Sequence, residues 1–424
     1  MKKINLRILP WIIIILIFAA INVNILNGKY EEILASTGKD ISNISINKTI
    51  DNDSSINNIN DYSTENDINK PQVPKVHALA SLLMDGSVNR VLYEHNGYER
   101  MAMASTTKIM TCIIALENAS LDEVVTISAY AARMPDVQLN VKSGEQYHLK
   151  DLLMSLMLES HNDVAVAIAE HVGGSVEGFA TMMNDKARSL DCVDTNFITP
   201  NGLDAEGHYT TANDLAVIAS YAIENDMFIK ITNTLSHGFN EINGKRNFHV
   251  SNKNQFLHMI DGSIGVKTGF TNKAGYCFVG AIRRPDKTLI SVVLGCGWPP
   301  SKSLKWKDTK ALMNYGIDNY KQKDVFRRLE QDTLVVKDGQ TRVEQLELTG
   351  DLSLLLRDDE VVEVNYDLPN YLQAPIEANN IVGYQEYYID GNIYQKFPIY
   401  TTIDVEKIDF KFCFNKMFEL WSIN

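Results

Sequence analysis

The chain has 424 residues, 45% hydrophobic and 22% charged, enough to bury a substantial core and too many for one average domain. Its net charge of −13 argues against nucleic acid as a partner, because phosphate binding needs clustered Lys and Arg. Five scattered cysteines (Cys112, Cys192, Cys277, Cys296, Cys413) form no C-x-x-C pair, so neither a zinc site nor a disulfide framework is suggested, though one bridge stays open.

Lys2, Lys3 and Arg7 precede an apolar run from Ile8 through Ala20 that fades by Leu26. Residues 1–26 read as a signal peptide or N-terminal anchor, and Pro10, Asn22 and Asn24 favour the signal peptide. Residues 27–74, rich in Asn and Ser without helical or strand period, read as a flexible linker. Folding is expected from about residue 75. Ala78–Met84, a turn at Asp85-Gly86, and Arg90–Tyr93 read as a β-hairpin.

From Ser105 the period changes. Ile109, Cys112, Ile113 and Leu116 make a helical stripe, and a second helical pattern covers Lys150 to Val172. Short apolar runs at Gly265–Thr268, Gly275–Ile282 and Leu289–Gly295 predict antiparallel strands with helices packed against them, an α/β arrangement. After Tyr320 the segments are short, β-branched and separated by regular turns, which predicts a small all-β domain over 325–405. Residues 406–424 predict an amphipathic helix with Phe410, Phe414, Met417, Phe418 and Trp421 on one face. Lys407, Lys411 and Lys416 lie off that stripe, a pattern suited to a bilayer interface, although Phe412 spoils the polar face.

Three motifs carry chemistry. Ser105-Thr106-Thr107-Lys108 puts a hydroxyl and an amine on one face at a helix start, where a neutral lysine can take the serine proton. Ser160-His161-Asn162 offers a hydroxyl and an amide two residues apart. Lys267-Thr268-Gly269 sits on a predicted strand, supplying a charge and a donor for a carboxylate, with glycine leaving room at the strand edge. Other classes fare poorly: Gly173-Gly174-Ser175-Val176-Glu177 lacks the last glycine of a nucleophile elbow, and His161 and His171 lack H-E-x-x-H spacing.

In this order the trio resembles the signature of the penicillin-binding and serine β-lactamase superfamily. The surrounding segments at Ala104–Glu117, Ser160–Gly174, Asn196–Leu215 and Asp261–Cys277 narrow the resemblance to the low-molecular-mass penicillin-binding proteins, serine-type D-alanyl-D-alanine carboxypeptidases. The resemblance implies a β-lactamase/transpeptidase-like catalytic domain over 75–320, an antiparallel sheet flanked by helices, then the β-rich domain. It implies that Ser105 attacks the bond between two D-alanines, Lys108 is the base, and Ser160 relays the proton to the leaving amine. Asn162, Lys267, Thr268 and Gly269 would bind substrate, with the N–H groups of Ser105 and Phe270 holding the oxyanion. Lys305 stands nearest to an arginine that the family often uses for the carboxylate. The expected partners are peptidoglycan stem peptides, β-lactam antibiotics and the outer face of the cytoplasmic membrane, with no nucleic acid and no cofactor or metal. The expected location is exported and extracytoplasmic.

Two rivals share the scaffold. A β-lactamase would often carry Glu-x-x-Leu-Asn between the second and third motifs, and none lies between Asn162 and Lys267. A non-enzymatic cell-wall binding protein sits poorly with all trio positions being filled.

Overall fold

A computed structural model describes residues 71–330 and 332–422. The expectations for residues 1–26, and for the linker up to residue 70, lie outside the described residues. The predicted hairpin forms from β1 (Ala80–Asp85) and β2 (Arg90–His95). A 3-10 turn, Ala104–Thr107, leads into α1 (Lys108–Asn118). The pair β3 (Val124–Thr126) and β4 (Gln146–His148) follows.

The single long helix expected over Lys150–Val172 is two, α2 (Leu149–Leu158) and α3 (Asn162–Gly173). Ser160 between them has φ +73°, a left-handed conformation incompatible with continuing the helix. Three helices that periodicity did not single out come next: α4 (Val176–Ser189), α5 (Ala212–Ala222) and α6 (Asp226–Asn233). Each begins at a capping side chain, where Ser175, Thr211 and Asn225 accept first-turn N–H groups. The hairpin β5 (Ser236–Asn240) and β6 (Asn247–Ser251) precedes β7 (Ser263–Thr271), β8 (Gly275–Arg284), β9 (Lys287–Leu294) and α7 (Leu304–Asn319).

The central sheet has the order β2-β1-β9-β8-β7, antiparallel throughout, so β7 is an edge strand. Both faces are covered. Ala80, Leu82 and Met84 of β1 join the larger core with α1 and α3, while Leu83 points to a second core with Leu312 and Met313 of α7. Helix α1 is buried around most of its circumference rather than along the single predicted stripe, because Met110 and Ile114 are covered as well.

The region after α7 is all-β, as its turn spacing predicts. It contains β10 (Lys321–Asp324), β11 (Thr333–Lys337), β12 (Val343–Glu347), β13 (Ser353–Leu356), β14 (Val362–Asp367), β15 (Leu372–Gln373), β16 (Ile381–Ile389) and β17 (Asn392–Thr401). Six of these make one sheet, β14-β16-β17-β12-β11-β15, over its own small core. Helix α8 (Phe410–Ser422) closes the described chain. Its apolar stripe is not docked on its own domain: Phe410 is 84% and Trp421 83% exposed. Among the described residues no helix is long and apolar enough to cross a membrane.

Candidate active site

Ser105 lies in the 3-10 turn, half-buried, and Lys108 opens α1 fully buried. The Lys108 Nζ is 2.9 Å from Ser105 Oγ, 2.8 Å from Asn162 Oδ1 and 2.5 Å from the Asn201 carbonyl oxygen. Asn162 Nδ2 donates to the Pro135 carbonyl at 3.1 Å, which aims the Oδ1 at the lysine. Burial, reinforced by the cation of Lys267, holds the Lys108 amine well below its ordinary value; Asp163 opposes the shift. A neutral amine has two N–H groups and one lone pair. Asn162 Oδ1 and Asn201 O can only accept, so they take the two protons and leave the lone pair facing the Ser105 hydroxyl. That is the arrangement a general base for serine requires.

The strand motif comes next to the nucleophile because glycine lets it. A Cβ on Gly269 would lie 3.0 Å from Ser105 N and 3.1 Å from the Met103 carbonyl oxygen. Phe270 faces Tyr276 across the ladder, and the Tyr276 N–H and C=O are engaged by Gly297 and Cys296 on the far side. Phe270 is therefore at a non-hydrogen-bonded position, and its N–H points outward from the edge strand on the side where Gly269 meets Ser105. Two main-chain donors thus converge as an oxyanion site demands. The Phe270 ring is exposed and packs on Tyr276 at a centroid distance of 4.6 Å.

Lys267 is buried, with its Nζ donating to the Thr268 carbonyl at 3.1 Å. Burial and then the nearby Lys305 charge push its amine down to about 7. Lys305, in the first turn of α7, is buried against the faces of Tyr276 and Trp306, at 5.0 and 4.9 Å. Its amine is pushed down to about 8, by burial first and by Lys302 second. Two cations held together this way want an anion.

Ser160 stands apart from this network. Its Oγ is buried and makes no hydrogen bond to the Lys108 amine or to any other group, while its positive φ projects it from the α2–α3 break. His161 does not line the cleft: its ring is buried, with Nδ1 2.7 Å from Ser155 Oγ and Nε2 3.4 Å from Glu159. All five cysteines are free thiols.

Sequence reasoning missed Asn201 and Pro135. Both act through main-chain carbonyls, so their side chains advertise nothing. The only signal was the Pro200-Asn201-Gly202 turn inside a segment already singled out. Thr111 Oγ1 on α1 donates to the Pro200 carbonyl at 2.6 Å, fastening that turn to the nucleophile helix.

The family model described as D-alanyl-D-alanine carboxypeptidase matches residues 67–297, and that for the penicillin-binding protein 5 C-terminal domain matches residues 320–407. D-alanyl-D-alanine carboxypeptidase DacF of Bacillus subtilis is 29% identical, covering 78% of this chain and 87% of its own length. DacC of Escherichia coli is 30% identical, covering 79% and 86%. The crystal structure of penicillin binding protein 5 from Haemophilus influenzae superposes with a TM-score of 0.68 at 26% identity, covering 80% of this chain and all of that one.

Proposed function

This chain belongs to the D-alanyl-D-alanine carboxypeptidase family, and from that premise we propose how its residues remove the terminal D-alanine from peptidoglycan pentapeptide stems. The observation that carries the assignment is the Lys108 amine, held by Asn162 and Asn201 with its lone pair toward Ser105. The substrate carboxylate is held by Lys267, Thr268 and Lys305, which brings the scissile carbonyl oxygen between the N–H groups of Ser105 and Phe270. Ser105 Oγ forms a bond to the carbonyl carbon while its proton passes to Lys108. On collapse the C–N bond breaks and the proton held by Lys108 passes through the Ser160 hydroxyl, which is otherwise unengaged, to the leaving D-alanine amine, so that Lys108 is neutral again. Water then hydrolyses the ester, with Lys108 again as base. Penicillins, whose strained amide mimics the same bond, acylate Ser105 and stay.

Mass spectrometry of a pentapeptide muropeptide incubated with the protein should show tetrapeptide and free D-alanine. No conversion would overturn the assignment. Labelling by fluorescent penicillin should vanish in Ser105→Ala; rapid penicillin turnover instead would favour the β-lactamase reading.

The proposed location is extracytoplasmic, at the outer face of the cytoplasmic membrane. What supports it is the basic-then-apolar N-terminal sequence and the exposed aromatic face of α8. The lysines at 407, 411 and 416 suit anionic headgroups.

A further inference from the structure

The turn that carries Ser105 is strained and tightly enclosed. Ala104, just before the nucleophile, has φ +49°, a left-handed conformation that is unfavourable for a non-glycine residue. The turn at Gly202 presses on it: a Cβ there would lie 2.0 Å from the Ala104 carbonyl oxygen and 2.9 Å from Thr107 Oγ1. Something must hold this conformation, and a side chain outside the three motifs is built to do so. His208 is buried between the segment from Ile198 to Gly202 and the nucleophile turn. Its Nδ1 accepts from the Ile198 N–H at 3.0 Å, so in the neutral ring the proton is on Nε2. That N–H lies 2.9 Å from Thr107 Oγ1, which in turn donates to the Ala104 carbonyl at 2.8 Å.

Every donor in this chain has one acceptor, and its direction is fixed from Ile198 to Ala104. The same segment also supplies the Asn201 carbonyl that holds Lys108. One strap therefore touches both halves of the nucleophile–base pair, and His208 ties its beginning to the turn. We propose that His208 is a positioning residue for the acylation step: acting through Thr107, it sets the Ala104–Thr107 turn so that Ser105 Oγ stays in register with the Lys108 lone pair. The neutral ring is the form the chain needs, and burial, with the Lys273 charge second, keeps His208 neutral down to about pH 4.

The inference rests on the functional reading above and is tested on the full chain by the second-order rate of acylation with fluorescent penicillin, alongside the melting temperature. His208→Leu, which keeps bulk but no hydrogen bond, should slow acylation about tenfold while the protein stays folded. His208→Gln can accept from Ile198 and donate to Thr107, and should stay within about twofold of wild type. Thr107→Val should slow acylation about as much as His208→Leu and Thr107→Ser should restore it, so the proposal remains testable if the leucine variant fails to fold. The double variant His208→Leu/Thr107→Val should be no slower than Thr107→Val alone, the mark of one shared pathway. Wild-type acylation in folded His208→Leu, a glutamine variant as slow as leucine, or additive losses would each overturn the proposal. A wild-type chain that takes no label at all would instead overturn the reading of the site.

Discussion

Lys108 and Lys267 are chemically the same side chain with opposite tasks, and burial acts on both in one direction. For Lys108 the downward shift is useful, since only the neutral amine accepts the serine proton; its reaction improves as pH rises through the Lys108 value. Lys267 and Lys305 must be cationic to hold a carboxylate, and they lose charge as pH passes about 7 and about 8. The signs are opposite, so kcat/KM should be bell-shaped, its alkaline limb set by the carboxylate clamp. Lys305→Arg keeps a cation beside Lys267 at every accessible pH, so a pH–rate profile should lose the step at about 8 and keep the one at about 7 that Lys267 sets. Lys267→Ala should act chiefly on KM, raising it roughly thirtyfold for about 2 kcal/mol of lost anion binding. An equal loss in kcat would show that Lys267 acts in the chemical step instead.

Elements bring these residues together by close approach more than by side-chain design. The break between α2 and α3 turns Ser160 and Asn162 inward, the glycine of β7 lets Ser105 reach the edge strand, and Gly202 lets a loop touch the nucleophile turn. Gly202 has φ +83° and no room for a methyl group. Gly202→Ala combines backbone strain with overpacking against Ala104, costing about 2 kcal/mol or more. In a chain of this size that is a fall of roughly 5 °C in melting temperature, readable by calorimetry. Penicillin acylation should fall further than the stability loss explains, because Asn201 moves with its neighbour.

For the whole molecule, the catalytic and β-rich regions are locked across a buried contact. Arg90 of β2 donates to the Leu355 carbonyl and to Glu360 Oε1, the latter at 2.6 Å, and Arg357 donates to Tyr320 Oη at 2.9 Å. Arg90→Met would remove one of two guanidinium partners of buried Glu360, leaving Arg357 at 3.5 Å, together with the bond to Leu355, a loss of about 2–3 kcal/mol that should split thermal unfolding into two transitions. A single unshifted transition would show that the contact does not couple the regions. Helix α8 follows the β-rich region in the chain with its aromatic face bare. If that face enters a bilayer, the chain should float with anionic lipid vesicles, and substituting Phe414 and Trp421 with Ser should release it into the soluble fraction.

The sequence by itself determined the fold class, the all-β region that follows the catalytic one, the three motifs and the terminal helix. Those features rest on local periods, turn residues and short spacings, and local chemistry is written in residue order. It also paired Ser105 with a lysine that must be neutral to take the serine proton. What only tertiary structure decided is how the base is aimed. The Asn201 and Pro135 carbonyls, the outward N–H of Phe270 and the brace at His208 depend on where main-chain groups point after distant segments pack. Every residue has the same carbonyl, so nothing in its name marks it. The Ser105–Lys108 spacing is a matter of sequence; the lone pair that makes it a nucleophile is set by the fold.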